Sequence, residues 1–291
     1  PFSTGVIGER LPVEKITGAI DKLVAGLSED NWLAAAFGIM TTDTEPKISS
    51  RQVEINGETI TITGIAKGSG MIQPNMATML SYIASDVIAS EATLKTCLKN
   101  AADKSFNRIT VDSDTSTNDS CMLSATGVSG VDIDSDENAR IQFTQVLNEV
   151  CLELAQGIIR DGEGATKFVA VEVGSSALQS DCLNIGYAIA NSPLMKTALF
   201  ASDANWGRLV MAIGKAPVDI DVTKLDIFLG DVQLMSAGQK SVEYTEEMGS
   251  EVMAKADIVI RVELNAGEFR ETVWTSDLSH EYVRINAEYR T

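Results

Sequence analysis

Apolar residues recur every three or four positions in several stretches of the chain, which is the spacing of one face of an amphipathic helix. Val13, Ile16, Ile20, Leu23 and Val24 follow this rule. By the same test we predict helices over residues 13–24, 32–37, 91–106, 142–159 and 188–200. The last of these should be interrupted near Pro193, because proline lacks the N–H that a helix interior needs.

Other stretches alternate apolar and polar residues, as strands with one buried face do. The clearest covers residues 53–66, where Asn56-Gly57 stands between two alternating runs and marks a β-hairpin. Further strands are predicted over residues 38–43, 78–84, 109–111, 168–173, 218–222, 225–229, 258–264 and 270–274. Helices and strands are mixed throughout, with no repeat and no obvious linker, so we expect an α/β or α+β fold and one catalytic unit over residues 1–291.

The composition favours a folded, acidic protein. The chain has 291 residues, of which 44% are hydrophobic and 22% are charged, and its formal net charge is −18. Phosphate backbones and anionic lipid surfaces would repel such a chain, so we expect neither nucleic acid nor a membrane as partner. The net negative charge says little about the charge of a substrate, because one lysine can make the electrostatic potential inside a pocket positive.

Cysteine and histidine usage narrows the chemistry. The four cysteines are widely spaced and form no CxxC pair, so we expect reduced thiols and a cytoplasmic protein. No apolar run approaches the roughly 20 residues that span a bilayer. His280 is the single histidine; a multi-histidine metal site is therefore excluded, and we expect no metal. His280 itself is interpreted as a surface residue, so a general base must come from elsewhere.

A glycine-rich loop followed by Thr78 suggests where that base originates. Gly68 and Gly70 permit unusual backbone angles, Pro74 fixes one φ angle, and Ala77 leaves the carbonyl before Thr78 uncrowded. A threonine in such a loop can attack the preceding carbonyl, so that water then releases a new chain with threonine at its N-terminus. Its free α-amine, with a pKa of about 7.7–8.0, can then activate the hydroxyl. Glycine-rich loops before strands are common, however, and the loop alone favours an ordinary connection over self-cleavage.

Five blocks in order along the chain resemble the bifunctional glutamate/ornithine N-acetyltransferases. They read STGVIG at residues 3–8, AKGSGMIQPNMATML at 66–80, TVDSDTSTND at 110–119, NSP and SDANWGR within 191–208, and YVRINAEYRT at 282–291. The match covers the whole chain, although members of that family also have a substantial segment ahead of the position of Pro1. The resemblance implies an αββα-type sandwich, as in self-cleaving aminopeptidases.

The resemblance also implies roles for individual residues. Thr78 would be the nucleophile, freed by self-cleavage between Ala77 and Thr78, and Thr4 and Gly5 would form the oxyanion hole. The substrate-binding positions would be Thr41 (with adjacent Thr42 as the alternative), Lys67, Thr78, Glu163, Asn286 and Thr291.

The implied reaction moves an acetyl group from N2-acetylornithine to glutamate in arginine biosynthesis, in a ping-pong scheme without a cofactor; acetyl-CoA as a further donor stays open. Residues 1–77 would belong to an α fragment and residues 78–291 would form the β fragment. The two would remain together as a heterodimer, which would assemble further into a heterotetramer or another homo-oligomer of heterodimers.

Three hypotheses remain open at this point. The first is acetyl transfer; the second is an aminopeptidase or amidohydrolase in which water replaces glutamate; the third is an uncut, inert precursor. The oxygen-rich run at residues 112–119 is interpreted as a loop that shapes the pocket through side-chain-to-backbone bonds, rather than as a calcium loop, because it lacks the EF-hand spacing.

Overall fold

The computed structural model describes residues 6–73 and 79–289. Its helices are α1 (Val13–Thr17), α2 (Ile20–Ala25), α3 (Trp32–Gly38), α4 (Glu91–Asp103), α5 (Glu137–Arg160), α6 (Gln179–Ala190), α7 (Pro193–Phe200), α8 (Trp206–Lys215), α9 (Glu246–Met253) and α10 (His280–Glu288). Its strands are β1 (Lys47–Ile55), β2 (Glu58–Lys67), β3 (Leu80–Ser85), β4 (Ile109–Thr110), β5 (Ser120–Ala125), β6 (Phe168–Ser176), β7 (Asp226–Leu229), β8 (Val232–Ser236), β9 (Gln239–Lys240), β10 (Asp257–Glu263) and β11 (Phe269–Ser276).

The strands of the described ranges form two sheets. The four-stranded sheet has the order β1-β2-β3-β5; its first two pairings are antiparallel and its last is parallel. The seven-stranded sheet has the order β4-β11-β6-β10-β7-β8-β9 and mixes parallel and antiparallel pairs. Two mixed sheets flanked by helices confirm the predicted α/β class.

Helix α5 holds the first core together. The Asp136 side chain caps its N-terminus by accepting from the Ala139 N–H at 3.1 Å. Its apolar face, which includes the fully buried Phe143, Leu147 and Val150, joins the cluster formed by β1, β2 and α4. The helix also contacts β4 and β11 of the seven-stranded sheet. Each such side chain contributes about 1.5–3 kcal/mol when buried, so α5 stabilises both sheets against each other.

A second core lies on the seven-stranded sheet. Alternate residues of β6 and β10, such as Val171 and Ile260, pack with α6, α7 and α8 in one buried cluster. Helix α7 begins at Pro193 behind the Ser192 cap, and α6 has ended at Ala190. This confirms the predicted interruption near Pro193, because the first turn of a helix tolerates the missing N–H.

The predicted hairpin is confirmed, and its second strand, β2, sets the pairing that brings the ends of the predicted cleavage loop together. Asn56 and Gly57 both have positive φ angles, 57° and 84°, as a two-residue type I′ turn requires. Antiparallel pairing then brings Lys67, at the end of β2, opposite Leu80, at the start of β3. The segment between these two residues carries the predicted cleavage loop, so its ends are close together.

Three predicted elements differ from the structure. Residues 13–24 form two short helices that break at Gly18 and Ala19. The prediction of a strand over residues 38–43 is wrong. After α3 the Thr41 N–H donates to the Asp43 side chain at 3.0 Å, and such a local bond competes with strand pairing. The prediction of a strand over residues 218–222 is also wrong, because Asp221 caps a short 3₁₀ turn there.

No helix in the part of the chain that the structure describes is both long enough and apolar enough to cross a membrane.

Candidate active site

A cleft opens where β2 ends and β3 begins, between the glycine-rich loop and the C-terminal helix α10. Its described lining residues are Ile7, Thr41, Thr42, Lys67, Gly70, Met71, Asp112, Asp114, Ser116, Asn118, Asp119, Glu163, Tyr282, Asn286 and Tyr289. The cavity volume is about 210 Å³, below the roughly 300–1,000 Å³ of sites for drug-sized ligands. The cleft therefore suits a ligand of about the size of one amino acid.

Lys67 places a buried cation in this cleft. The side chain ends β2, and the residue is 7% exposed. Burial lowers the pKa of its ammonium, although Asp43 and Asp119 oppose this shift. Among the described residues, no carboxylate oxygen lies within 4.0 Å of its Nζ, whereas Lys47 nearby has two such partners. Lys67 is therefore available to pair with an anionic group of a ligand.

Glu163 stands between the glycine-rich loop and α10. Its backbone N–H donates to the Ser69 carbonyl at 2.9 Å, and its Oε2 accepts from the Asn286 Nδ2 at 2.6 Å. Gly70 faces the carboxylate so closely that a Cβ there would lie 2.3 Å from Oε2. Glu163 is thus held by two segments that are far apart in sequence, the glycine-rich loop and α10.

A cluster of buried, charged side chains anchors the glycine-rich loop. Lys47 Nζ lies 2.5 Å from a carboxylate oxygen of both Asp43 and Asp161. Asp43 also accepts from the Gly68 N–H at 2.8 Å, and the Ser69 hydroxyl donates to the Asp161 carbonyl at 2.6 Å. Burial works to raise the pKa of Asp43, but Lys47 and two backbone N–H groups lower it below its ordinary value, so this carboxylate stays charged and holds the loop.

Asp112 holds the next part of the same loop. Its carboxylate accepts from the Met71 N–H at 2.7 Å and from the Ile72 N–H at 2.9 Å, while the Tyr282 hydroxyl donates to it at 3.1 Å. Met71 has a φ angle of 55°, a conformation that a non-glycine residue adopts only when its surroundings hold it there. These bonds agree with the interpretation of residues 112–119 as a loop that shapes the pocket.

Asp119, at the other end of this loop, lies beside the start of β3. Its carboxylate accepts a hydrogen bond from the backbone N–H of Met79, and its Oδ2 is buried without a hydrogen-bond partner among the described residues. Burial raises the pKa of this carboxyl to about 7, although the Met79 N–H and Lys67 oppose the shift. A buried carboxylate oxygen without a hydrogen-bond partner is costly.

The structure brings together every predicted site residue that it describes. Thr41 and its neighbour Thr42, Lys67, Glu163 and Asn286 all line the one cleft, and both threonines therefore remain candidates. The predicted residues Thr4, Gly5, Ala77, Thr78 and Thr291 lie outside the described ranges.

His280 does not line the cleft. Its ring packs edge-on against Phe200, with 5.5 Å between the ring centroids. Asn205 and Arg208 also have structural roles: the Asn205 side chain caps α8, and Arg208 donates to the Leu194 carbonyl at 2.9 Å.

Sequence reasoning did not single out Asp43, Asp112, Asp119 or Tyr282. Only the run at residues 112–119 had been noted, as a loop. The three aspartates accept from backbone N–H groups of the segments that flank residues 74–78, and the Tyr282 hydroxyl donates to Asp112. No spacing in the sequence reveals these contacts.

Comparison with known proteins identifies the family of this chain. The model of the ArgJ family matches residues 1–291. The chain belongs to the ArgJ family. It is 58% identical to the arginine biosynthesis bifunctional protein ArgJ of Pseudomonas syringae pv. tomato, over 100% of this chain and 73% of that protein. The protein of the same name from Psychrobacter arcticus is 51% identical, over 100% of this chain and 72% of that protein.

A solved ArgJ structure shares the fold. The crystal structure of the arginine biosynthesis bifunctional protein ArgJ from Bacillus halodurans superposes with a TM-score of 0.67 at 35% identity. The superposition covers 70% of this chain and 96% of that chain. ArgJ membership favours a biosynthetic enzyme over the aminopeptidase or amidohydrolase that the sequence had left open.

Proposed function

We propose that this ArgJ-family chain transfers the acetyl group of N2-acetylornithine to glutamate in arginine biosynthesis, through an acetyl ester on the Thr78 hydroxyl. Its relatives carry the name of an arginine biosynthesis bifunctional protein. Acetyl-CoA as a second donor would account for the word bifunctional in that name.

The observation that carries the proposal is the presence of two opposite charges in one cleft. Lys67 is a buried ammonium without a carboxylate partner among the described residues, and Glu163 is a carboxylate that Asn286 holds in the lining of the same cleft. Both substrates are small amino acids with an α-carboxylate that Lys67 can bind, and Glu163 can bind an amine. Thr41 or Thr42 and Asn286 add hydrogen-bonding groups that orient the ligand.

Self-cleavage would supply the nucleophile. The Thr78 oxygen attacks the Ala77 carbonyl carbon, the carbon–nitrogen bond breaks and an ester forms; water then hydrolyses this ester. The products are the Ala77 carboxylate and a Thr78 with a free amine and a free hydroxyl. Support comes from the anchoring of residues 68–72 by Asp43, Asp161 and Asp112, which holds the loop rigid up to two residues before Pro74.

Acetyl transfer then follows in two halves. The Thr78 amine takes the hydroxyl proton, the oxygen attacks the acetyl carbonyl, and ornithine leaves with that proton. The glutamate amine next attacks the acetyl ester and restores the hydroxyl. Thr4 and Gly5 would donate to the oxyanion in each half, a contribution of about 3–4 kcal/mol for each such donor.

The proposal is tested by mass spectrometry of the whole protein. We expect the wild type to separate under denaturing conditions into two fragments that divide between Ala77 and Thr78. After incubation with acetylornithine alone, the fragment starting at Thr78 should gain the mass of one acetyl group, and glutamate should remove it.

Thr78→Ala should abolish both the cut and the transfer, while Thr59→Ala, an exposed threonine on β2, should change neither. An uncut wild type that transfers acetyl groups at full rate would refute the mechanism. A cut enzyme that hydrolyses peptides but does not acetylate glutamate would support the hydrolase instead.

A further inference from the structure

One buried carboxylate joins two segments of the cleft that are distant along the chain. The turn after α3 carries Thr41 and Thr42, which line the cleft. Lys67 ends β2, and Gly68 follows it directly. The Oδ2 atom of Asp43 accepts from the Thr41 N–H at 3.0 Å, and its Oδ1 accepts from the Gly68 N–H at 2.8 Å. Asp43 itself is not among the described residues that line the cleft.

These two bonds set where the segments stand relative to each other. The bond from the Thr41 N–H closes the turn of residues 41–43, and the bond from the Gly68 N–H holds the backbone at the end of β2. The Asp43 side chain is fully buried, and Lys47 holds it with an Nζ that lies 2.5 Å from Oδ1. Hydrogen bonds to an ionised acceptor are roughly twice as strong as those between neutral groups. The relative position of the two segments therefore depends on this one carboxylate.

We propose that Asp43 is a positioning residue for ligand binding: its two oxygens hold the turn of residues 41–43 and the end of β2 where Lys67 and a threonine of the turn can bind one amino acid together. Asp43 acts through these neighbours and does not touch the ligand. This inference rests on the proposed function, because the ligands are the acetylornithine and glutamate named there.

The charge of Asp43 has a second effect on the cleft. Burial lowers the pKa of the Lys67 ammonium; Asp43 and Asp119 oppose this shift, and the positive charge of Lys47 adds to it. The other titratable groups in the described lining of the cleft are Asp112, Asp114, Glu163, Tyr282 and Tyr289. Burial works to raise the pKa of Asp43, but Lys47 and two backbone N–H groups hold it below its ordinary value. Asp43 is therefore charged and helps Lys67 to remain a cation.

The test compares Asp43→Asn with the wild type in the full-length protein. An amide has one NH₂ group in place of a carboxylate oxygen, so a donor must face one of the two backbone N–H groups, and the charge is lost. Asp161→Asn is the matched control, because Asp161 is the other carboxylate beside Lys47 but binds the backbone of residues 44–45 instead. The extent of cleavage, thermal unfolding, and kcat and KM for acetylornithine across pH are measured for each protein.

We expect the KM of Asp43→Asn for acetylornithine to rise by about tenfold with a smaller change in kcat, because the displaced groups bind the ligand equally in the ground state and the transition state. The basic limb of its kcat/KM profile should move to lower pH by about one unit, because loss of an opposite charge lowers the pKa of Lys67. Asp161→Asn should keep the basic limb at the wild-type pH even where it lowers the unfolding temperature. Asp43→Glu keeps the charge but displaces the oxygens, so it should raise KM without moving the basic limb.

Other results overturn the inference in ways that differ from a failure of the proposed function. A wild type without cleavage or acetyl transfer would refute the function itself. A normal wild type together with an Asp43→Asn variant of unchanged KM and unchanged basic limb would refute the positioning role. An Asp43→Asn variant that folds but stays uncut would show that the carboxylate serves the cleavage loop instead of the ligand. If Asp43→Asn does not fold, Asp43→Glu decides, and a wild-type KM in that variant would overturn the inference.

Discussion

Gly70 shows how a single missing side chain shapes the cleft. The closest atoms to a Cβ at this position would be those of the Glu163 carboxylate, at 2.3–2.6 Å, well inside van der Waals contact. Glu163 is also held by Asn286 and by the Ser69 carbonyl, so it has little freedom to move away. Glycine is required here for the space it leaves rather than for its backbone angles.

We therefore predict that Gly70→Ala displaces the Glu163 carboxylate and lowers kcat/KM for acetyl transfer by about tenfold or more, which corresponds to about 1.4 kcal/mol of transition-state stabilisation. Gly214→Ala is the matched control, because a Cβ at that position in α8 meets no atom within 4 Å. Steady-state measurements of kcat/KM for both variants test this prediction. Equal activity of the two variants would show that Glu163 does not need its observed position.

The residue scale is also where the sequence says least. Lys67, Glu163 and Asn286 were assigned through the family resemblance, and the structure brings them into one cleft. Spacing alone would have left Lys67 as a loop lysine and Glu163 as a turn residue. Asp119 was not singled out at all, because its burial beside Met79 and the charge of Lys67 that acts on it arise from segments distant along the chain.

Among the helices, α7 carries an unusual buried charge. Lys196 is 3% exposed; its Nζ donates to the Thr275 hydroxyl at 2.9 Å and to the Ser276 carbonyl. Burial lowers the pKa of Lys196 to about 8, although Asp277 and Asp112 oppose the shift. A lysine in the unfolded chain has a pKa of about 10.4.

This difference predicts a specific dependence of stability on pH. Between about pH 8 and pH 10.4 the unfolded chain binds the lysine proton and the folded chain has lost it, so this group makes the free energy of unfolding rise with pH. Relative to Lys196→Met, the wild type should gain about 2 kcal/mol between pH 7.5 and pH 9.5. Urea denaturation of both proteins at the two pH values measures the gain.

Lys215→Met, which replaces an exposed lysine at the end of α8, provides the control for this measurement. Its difference from the wild type should be the same at both pH values. A constant difference for Lys196→Met as well would mean that Lys196 keeps its proton in the folded protein.

Elements with a strong local signal were predicted well from the sequence. The Asn56-Gly57 hairpin, α5 and the break before Pro193 each combine a periodic pattern with a specific turn or cap residue. Residues 38–43 and 218–222 have apolar runs of similar strength, but Asp43 and Asp221 bind neighbouring backbone N–H groups and keep these segments as loops. Strand β5 was missed because it follows the polar loop directly and is only partly buried.

At the scale of the whole molecule, the predicted cut falls inside one sheet. Strand β2 precedes the loop and pairs with β3 after it, from Lys67–Leu80 to Ile62–Ser85. Residues of β1 and β2, such as Ile55, Ile60 and Ile62, are fully buried in the core that α5 forms. Residues before and after Thr78 therefore share one hydrophobic core.

We predict that the two fragments stay together after cleavage. Size-exclusion chromatography in neutral buffer should give one peak that contains both, whereas a denaturing gel should separate them. Ile62→Glu, which would bury a charge at this junction, should weaken their association, and Thr59→Glu at an exposed position on the same strand should not. Separate elution of the wild-type fragments would contradict the shared core.

The pairing of β2 with β3 on either side of the scissile loop has a genetic consequence. Both fragments would come from a single translation product, so they would be present in a one-to-one ratio. They would not have to find each other by diffusion in solution. Exchange with another molecule would require opening the four-stranded sheet. Consider a cell with two defective alleles, one mutated before residue 77 and the other at Thr78. Each intact part of the chain would stay associated with the mutated part of the same molecule, so the two alleles would fail to complement each other.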